Sequence, residues 1–396
     1  MTLNETASGE RLHIGFFGMR NAGKSSLVNA VTNQRMAVVS DVKGTTTDPV
    51  RKSMELLPLG AVVIIDTPGF DDEGELGALR VERTKEILAR TDIAVLVTDA
   101  SRETDAAERE LIGIFKERRI PYIIAYNKSD LLNERKPLDD NGVYVSAKTG
   151  EGIAELKEKL GAVGRGAKNE KRLIADILSP GDTIVLVMPI DAAAPRGRLI
   201  LPQQMTLRDI LDVHCKAVVC QPEEVKAVLS ELKASLRLIV TDSQAFGRVA
   251  KDVPQNVMLT SFSILMARYK GELPVLVEGA RMLSRLRDGD KVLISEGCTH
   301  HRQCGDIGSV KLPAWIEGFS GAKPEYEFTS GGSFTSEPEK YKVIVHCGGC
   351  MLNEKEMKHR IAAAGAAGVP IVNYGIAIAH IHGILERALE PFKEEL

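Results

Sequence analysis

Two stretches toward the C-terminal end of the chain carry residues able to hold a metal. One is Tyr341 to Cys350, where a β-branched run delivers His346, Cys347 and Cys350 into a glycine turn. Only Gly348 and Gly349 separate the two thiols, and glycine accepts the positive-φ geometry that lets both point at one ion. The other is Lys291 to Ser295, a second β-rich run, which leads into Gly297, Cys298, Thr299, His300 and His301. If the two strands lie parallel in one sheet, both ends open onto the same crevice, where open α/β sheets put their sites. Asn353 then caps a helix from Glu354 to about Ala364, and its positive end favours an anionic cluster. Cys298, Cys304, Cys347 and Cys350 could make a closed four-thiolate zinc site. Cys298, Cys347 and Cys350 could instead hold a 4Fe-4S cluster with one iron left for an exchangeable ligand, for which His300, His301 and His346 are the choices.

A different chemistry is written at the other end. The apolar run Leu12 to Phe17 ends in Gly18-Met-Arg-Asn-Ala-Gly-Lys-Ser25, followed by Ser26 and a helical pattern through Val31. This is a P-loop in its proper context. Gly18, Asn21, Ala22 and Gly23 turn backbone N–H groups inward on phosphates, Lys24 reaches the terminal phosphates, and the Ser25 hydroxyl ligates Mg²⁺. Lys43 to Asp48 is a polar loop able to order around a γ-phosphate, with Thr45 beside it and Thr46 on the Mg²⁺. A buried strand from Ala61 to Ile65 leads to Asp66-Thr-Pro-Gly69, where Asp66 supports the metal through water and the Gly69 amide meets the γ-phosphate. Lys24, Thr46, Asp66 and Gly69 are thus the expected catalytic set. After Tyr122 to Tyr126 comes Asn127-Lys128-Ser-Asp130, whose carboxylate can take both N–H donors of guanine, which adenine cannot supply. Ser146, Ala147 and Lys148 follow the last strand and offer the Ala147 amide to the guanine carbonyl.

The elements that must position these residues alternate strand and helix along the whole chain, which predicts an α/β protein with mostly parallel sheets. Three domains are expected: a GTP-binding domain over 1–165, an α/β domain over 172–270, and the cysteine domain over 271–396. The helix patterns place a helix from about Thr206, one from Pro274 to Leu286 and one from Gly375 to Pro391. The middle domain holds no residues of evident chemistry and is expected to serve homodimerisation. Cys215 and Cys220 are expected as core thiols, and His13, His359, His380 and His382 as packed or surface residues. At 396 residues, with 44% hydrophobic and 27% charged residues, the composition is that of a globular chain. No apolar run approaches membrane-spanning length and no secretory signal opens the sequence, so a cytoplasmic protein is expected. A net charge of −3 and 5% aromatics argue against nucleic acid and against an anionic membrane as partners.

The five nucleotide stretches, in order, resemble the translation-factor-like GTPases. Asn21 and the Gly44 to Asp48 segment are similar to the TrmE/Era-like branch that binds K⁺ beside the phosphates, and Phe70 follows Gly69 where Ras-like enzymes carry a glutamine. Slow, K⁺-stimulated hydrolysis is therefore expected. A K⁺-type GTPase followed by Cys298, His300, His346, Cys347 and Cys350 resembles the HydF family, the maturation GTPases of FeFe-hydrogenases, over essentially the whole length. The resemblance implies a 4Fe-4S cluster on three cysteines and a role as scaffold for a two-iron precursor bearing CO, cyanide and a dithiolate bridge. It also implies receipt of that precursor through two radical-SAM maturases, delivery to apo FeFe-hydrogenase, and dimerisation through the middle domain. Without it, the residues also fit a zinc-stapled GTPase of RNA or ribosome maturation, or a GTP-driven metal chaperone.

Overall fold

A computed structural model describes residues 8–33, 50–67, 84, 86–167, 171–190, 199–232, 236–297, 307–331 and 334–396. The described residues gather into two compact units, one within 6–170 and one within 171–396.

The first unit is a six-stranded sheet in the order β2-β3-β1-β4-β5-β6. Its strands are β1 (Leu12–Phe17), β2 (Val50–Leu56), β3 (Gly60–Asp66), β4 (Ile93–Asp99), β5 (Tyr122–Asn127) and β6 (Gly142–Tyr144). β1 is buried at every position, as a central parallel strand covered on both faces must be. Its alternate side chains feed two cores. Ile14 and Phe16 pack with Leu27 of α1 (Lys24–Thr32) and with Leu156 and Leu160 of α3 (Ile153–Ala167). Phe17 faces the other way, with Leu111 and Phe115 of α2 (Ala106–Glu117). α2 starts where it does because Asp105 and Glu108 form a reciprocal capping box. β2 pairs antiparallel with β3 as an edge strand that the sequence reading did not anticipate.

The second unit contains two four-stranded sheets, both wholly parallel. One is ordered β10-β9-β7-β8, from β7 (Thr183–Val187), β8 (Lys216–Cys220), β9 (Leu236–Thr241) and β10 (Met258–Ser261). The other is ordered β12-β11-β13-β14, from β11 (Lys291–Glu296), β12 (Glu325–Ser330), β13 (Val343–His346) and β14 (Ile371–Asn373). One hydrophobic cluster runs through both, from Leu173 to Phe392. The boundary expected at Gly271 falls between α7 (Phe262–Lys270) and α8 (Leu273–Ala280). Cys215 and Cys220 are buried thiols in this core, as expected.

Three local expectations need correction. The helix expected from Thr206 begins at Leu201, with Pro202 in its first turn, a start signal that outweighs the weak apolar pattern of Gln203 and Gln204. The helix expected over Pro274 to Leu286 is α-helical only to Ala280 and tightens into a 3₁₀ segment at Arg281–Arg285. The helix expected from Gly375 to Pro391 is broken into Tyr374–Ile381 and Leu385–Leu389, because Gly383 turns left-handed at φ +69° between them. Among the described residues, no helix is long and apolar enough to cross a membrane.

Candidate functional site

In the first unit the P-loop links the C-terminal end of β1 to α1. Gly18 and Gly23 have φ of +143° and +86°, and Asn21 stands at φ +59° with an exposed side chain. A Cβ on Gly18 would lie 2.2 Å from the Val97 carbonyl, and one on Gly23 would lie 2.3 Å from Asn127 Nδ2, so neither position admits a side chain. Lys24 is buried, and its ammonium donates to the Gly18 and Met19 carbonyls at 2.8 Å each. The Ser25 hydroxyl donates to Asp66 Oδ2 at 2.7 Å across the β1–β3 junction. Burial pushes the Asp66 carboxyl above its ordinary range, against the Ser25 hydrogen bond and the Lys24 charge. Its buried Oδ1 has no partner among the described residues. An unpaired carboxylate oxygen beside a serine hydroxyl fits a magnesium ion and its water shell.

The residues expected to read the base converge on the same edge. Asn127, the last residue of β5, donates from Nδ2 to the Ala22 carbonyl at 2.8 Å and accepts from the Ala147 amide at 3.0 Å. It thereby ties the P-loop to the loop after β6. Ser146 Oγ donates to Asp130 Oδ1 at 2.6 Å and accepts from the Thr149 amide at 3.2 Å, leaving the exposed carboxylate held at one oxygen. Lys128, at φ +64°, pairs with Asp99 at 2.6 Å, and Lys148 is exposed. Ser26 lies in the first turn of α1. Thr45, Thr46 and Gly69 lie outside the described residues, so the switch part of the site is not among them.

In the second unit, β11 and β13 are paired and parallel, with Ser295 opposite His346. The two strands that lead to the cysteine stretches therefore end at the same edge of one sheet. The strand order also reverses between these two strands, since β12 follows β11 on one side and β13 lies on the other. Crevices at such switch points are where open α/β sheets bind ligands. Cys347 and Cys350 are half-buried cysteines outside any disulfide, on the turn after β13, where Gly349 takes φ +62°. Cys347 Sγ accepts from the Gly297 amide at 3.1 Å and from the Gly349 amide at 3.4 Å. Gly297 immediately precedes Cys298, so β11 brings the chain within one hydrogen bond of Cys347 at the residue before the third cysteine. A Cβ on Gly297 would meet Leu352 at 2.7 Å, which keeps the two turns this close. Asn353 caps α10 (Glu354–Ala366) as expected, accepting from the Glu356 amide at 3.0 Å.

Cys298, His300, His301 and Cys304 lie outside the described residues, and among those described no group of three metal-binding side chains is assembled. The Cys347 sulfur, held by two backbone N–H groups, suits a thiolate-bound cluster, because such donors stabilise the anionic sulfur, while burial pushes the Cys350 thiol up. His346 differs from its expected part. It is fully buried; Nδ1 lies 2.7 Å from the Cys347 carbonyl and Nε2 lies 3.0 Å from Arg360 Nη1. Both ring nitrogens have protein partners. Sequence reasoning missed Arg360 and the buried Lys270, whose ammonium donates to the Cys350 carbonyl at 3.2 Å and the Leu352 carbonyl at 2.8 Å. Glu356 and Arg360, spaced i,i+4 on one helix, were the legible half of that signal.

Residues 13–128 match a family described as 50S ribosome-binding GTPase. Curated relatives match this end: tRNA modification GTPase MnmE of Xanthomonas oryzae pv. oryzae (strain MAFF 311018) is 38% identical over 150 residues, 38% of this chain and 33% of the relative. The same enzyme of Endomicrobium trichonymphae is 34% identical over 174 residues, 40% of this chain and 37% of the relative. The chain thus spans about a third of the length of those relatives. Among solved structures, a probable GTP-binding protein engB is 25% identical with a TM-score of 0.30, covering 39% of this chain and 99% of that one. The G domain of the T. maritima FeoB iron transporter is 24% identical with a TM-score of 0.29, covering 39% and 98%. The second unit matches two models of a single family, described as the Hydrogen maturase F dimerization domain over 173–271 and the Hydrogen maturase F tetramerization domain over 274–391. With both of these models filling more than half of the sequence behind a P-loop GTPase domain, the chain belongs to the HydF family of hydrogen maturases.

Proposed function

We propose that this chain is a cytoplasmic, GTP-hydrolysing scaffold that holds a 4Fe-4S cluster and delivers a two-iron precursor to apo FeFe-hydrogenase. The observation that supports the reading is the parallel pairing of β11 with β13 at the switch point, which ends the two strands preceding the cysteine stretches side by side. Cys298, Cys347 and Cys350 would hold the cluster, leaving His300 or a cargo atom for the remaining position. Bound there, the cluster would supply an iron with a replaceable ligand, where the two-iron substrate could attach and later leave.

The nucleotide end would act as a switch. Lys24 and the amides of Gly18 to Ser26 would cradle the phosphates; Ser25, Thr46 and, through water, Asp66 would hold Mg²⁺; Asn21 would help bind K⁺. Asp130, Asn127 and the Ser146 to Lys148 loop would read guanine. With Phe70 where a water-orienting glutamine would stand, hydrolysis would be slow and stimulated by K⁺. GTP would order residues 45–48 and 69–75 and so bias affinity for two radical-SAM maturases and for the apo-hydrogenase. The 173–271 region would make the chain a homodimer; the edge strand β8, with Val219 half exposed, is the surface best suited to it.

Anaerobic purification with metal and sulfide analysis tests the reading. Brown protein with about four irons per chain supports it. Colourless protein with zinc would replace it by an RNA-maturation GTPase, which the MnmE-like end favours. Dissociation of the radical-SAM partners that is the same with GTP, GDP and no nucleotide would remove the switch from it.

A further inference from the structure

Two buried cations are tied to the Cys347–Cys350 turn, Lys270 directly and Arg360 through His346. Arg360 of α10 is 1% exposed, the largest fully buried side chain among the described residues. Its guanidinium donates to Glu356 Oε1 at 2.8 Å, to the Gly331 carbonyl at 3.0 Å and to His346 Nε2 at 3.0 Å, and it stacks on Phe334 at 5.3 Å. Lys270, the last residue of α7, is also 1% exposed and reaches the carbonyls of Cys350 and Leu352. Long cationic side chains are buried only where their donors are used.

The hydrogen-bond chemistry fixes the histidine. Arginine can only donate, so His346 Nε2 must accept, and the proton sits on Nδ1. That Nδ1–H then donates to the Cys347 carbonyl at 2.7 Å. The turn is gripped at both ends: the Cys347 carbonyl through His346 and Arg360, and the Cys350 carbonyl by Lys270. With its Nε2 lone pair engaged, His346 has none to offer iron.

We propose that Arg360 and Lys270 are positioning residues for the metal centre, that Arg360 holds His346 as an Nδ1–H donor to the Cys347 carbonyl instead of a ligand, and that Lys270 sets the cluster's electrostatic surroundings. The proposal rests on the cluster reading for what the turn holds, but its first test does not. In cluster-free protein labelled with ¹⁵N-histidine, long-range ¹H–¹⁵N correlation should show for His346 a ring that carries its proton on Nδ1 and a bare Nε2. That signal should vanish in His346→Gln and change in Arg360→Met. A cationic or Nε2–H ring at His346 overturns the donor role.

The second test uses reconstituted protein. Directly bound histidine nitrogen, read by pulsed EPR of the reduced cluster, should be the same in wild type and His346→Gln; its selective loss in His346→Gln overturns the donor role. The reduction potential should fall in Lys270→Met and stay near wild type in Lys270→Arg, since charge and not the lysine shape is what matters. A Lys270→Met protein that keeps its irons and its potential overturns the electrostatic part. If Lys270→Met fails to fold, Lys270→Gln, which keeps a donor but not the charge, takes its place with the same expected fall. Wild-type protein that binds no iron would sink the scaffold reading, while the histidine spectra would still decide the donor role.

Discussion

The Asn127 side chain bridges two loops that lie far apart in sequence, donating to Ala22 and accepting from Ala147. Asn127→Ala removes both bonds and leaves a buried carbonyl and amide unpaired. GTP affinity measured by calorimetry is expected to fall about 10- to 100-fold, from a loss of about 1–3 kcal/mol. Asp130→Asn is expected to weaken GTP binding at least about a hundredfold, because an amide cannot accept from both guanine donors, and to improve binding of xanthosine triphosphate. Unchanged GTP affinity in Asp130→Asn would put the base elsewhere. These residues were readable because their chemistry is compressed into short local motifs. The reach of Lys270 to Cys350 and of Arg360 to His346 was not, since those partners lie 80 and 14 positions away and only the packed sheet brings them together. His346 was legible as a buried-strand histidine beside a cysteine, but its ring partners were not.

At the scale of elements, the two glycines of the cysteine turn are not equivalent. Gly349 stands at φ +62°, with Met357 Sδ 3.2 Å from where a Cβ would sit, while Gly348 has open space around it. Gly349→Ala is expected to cost about 1–2 kcal/mol and to reduce bound iron, and Gly348→Ala to change stability by less than about 0.5 kcal/mol. Urea midpoints and iron content of the two variants, measured side by side, check this; equal effects would mean the turn is not held as described. On the edge strand β8, Val219→Lys should weaken self-association, because a lysine on an exposed edge opposes strand addition. Sedimentation equilibrium indistinguishable from wild type would move the interface off this edge. The long apolar strands announced themselves through continuous burial-ready runs. β2 and β12 did not, since both are edges with charged residues on exposed positions, and the alternation Tyr326, Phe328 within β12 was the faint cue available. The last helix was misjudged because one glycine inside an apolar pattern can be carried or can turn left-handed, and local sequence does not decide which.

For the whole molecule, the second unit is closed by a cluster that joins its two ends. Arg268 donates to Asp176, near the start of the unit, and to Glu395, near its end, and it stacks on Phe392 at 5.0 Å. Burial pushes the Asp176 carboxyl up, but the Arg268 hydrogen bonds and charge outweigh it and hold it below the ordinary range. A depressed carboxylate adds stability above its unfolded value, near pH 4, and that stability is lost as pH falls through the folded value. Arg268→Met should therefore lower stability at pH 7 by about 1 kcal/mol, the carboxylates being partly exposed, with the difference from wild type closing below about pH 4. A difference independent of pH would assign the effect to packing on Phe392. The central claim is that sulfur atoms from two distant stretches grip one cluster, and iron and acid-labile sulfide per chain in anaerobically reconstituted protein test it most directly. Wild type should hold about four of each, and Cys298→Ala, Cys347→Ala and Cys350→Ala should each lose most of them. Alanine variants that keep the full complement, or a wild-type chain carrying zinc and no sulfide, would contradict it.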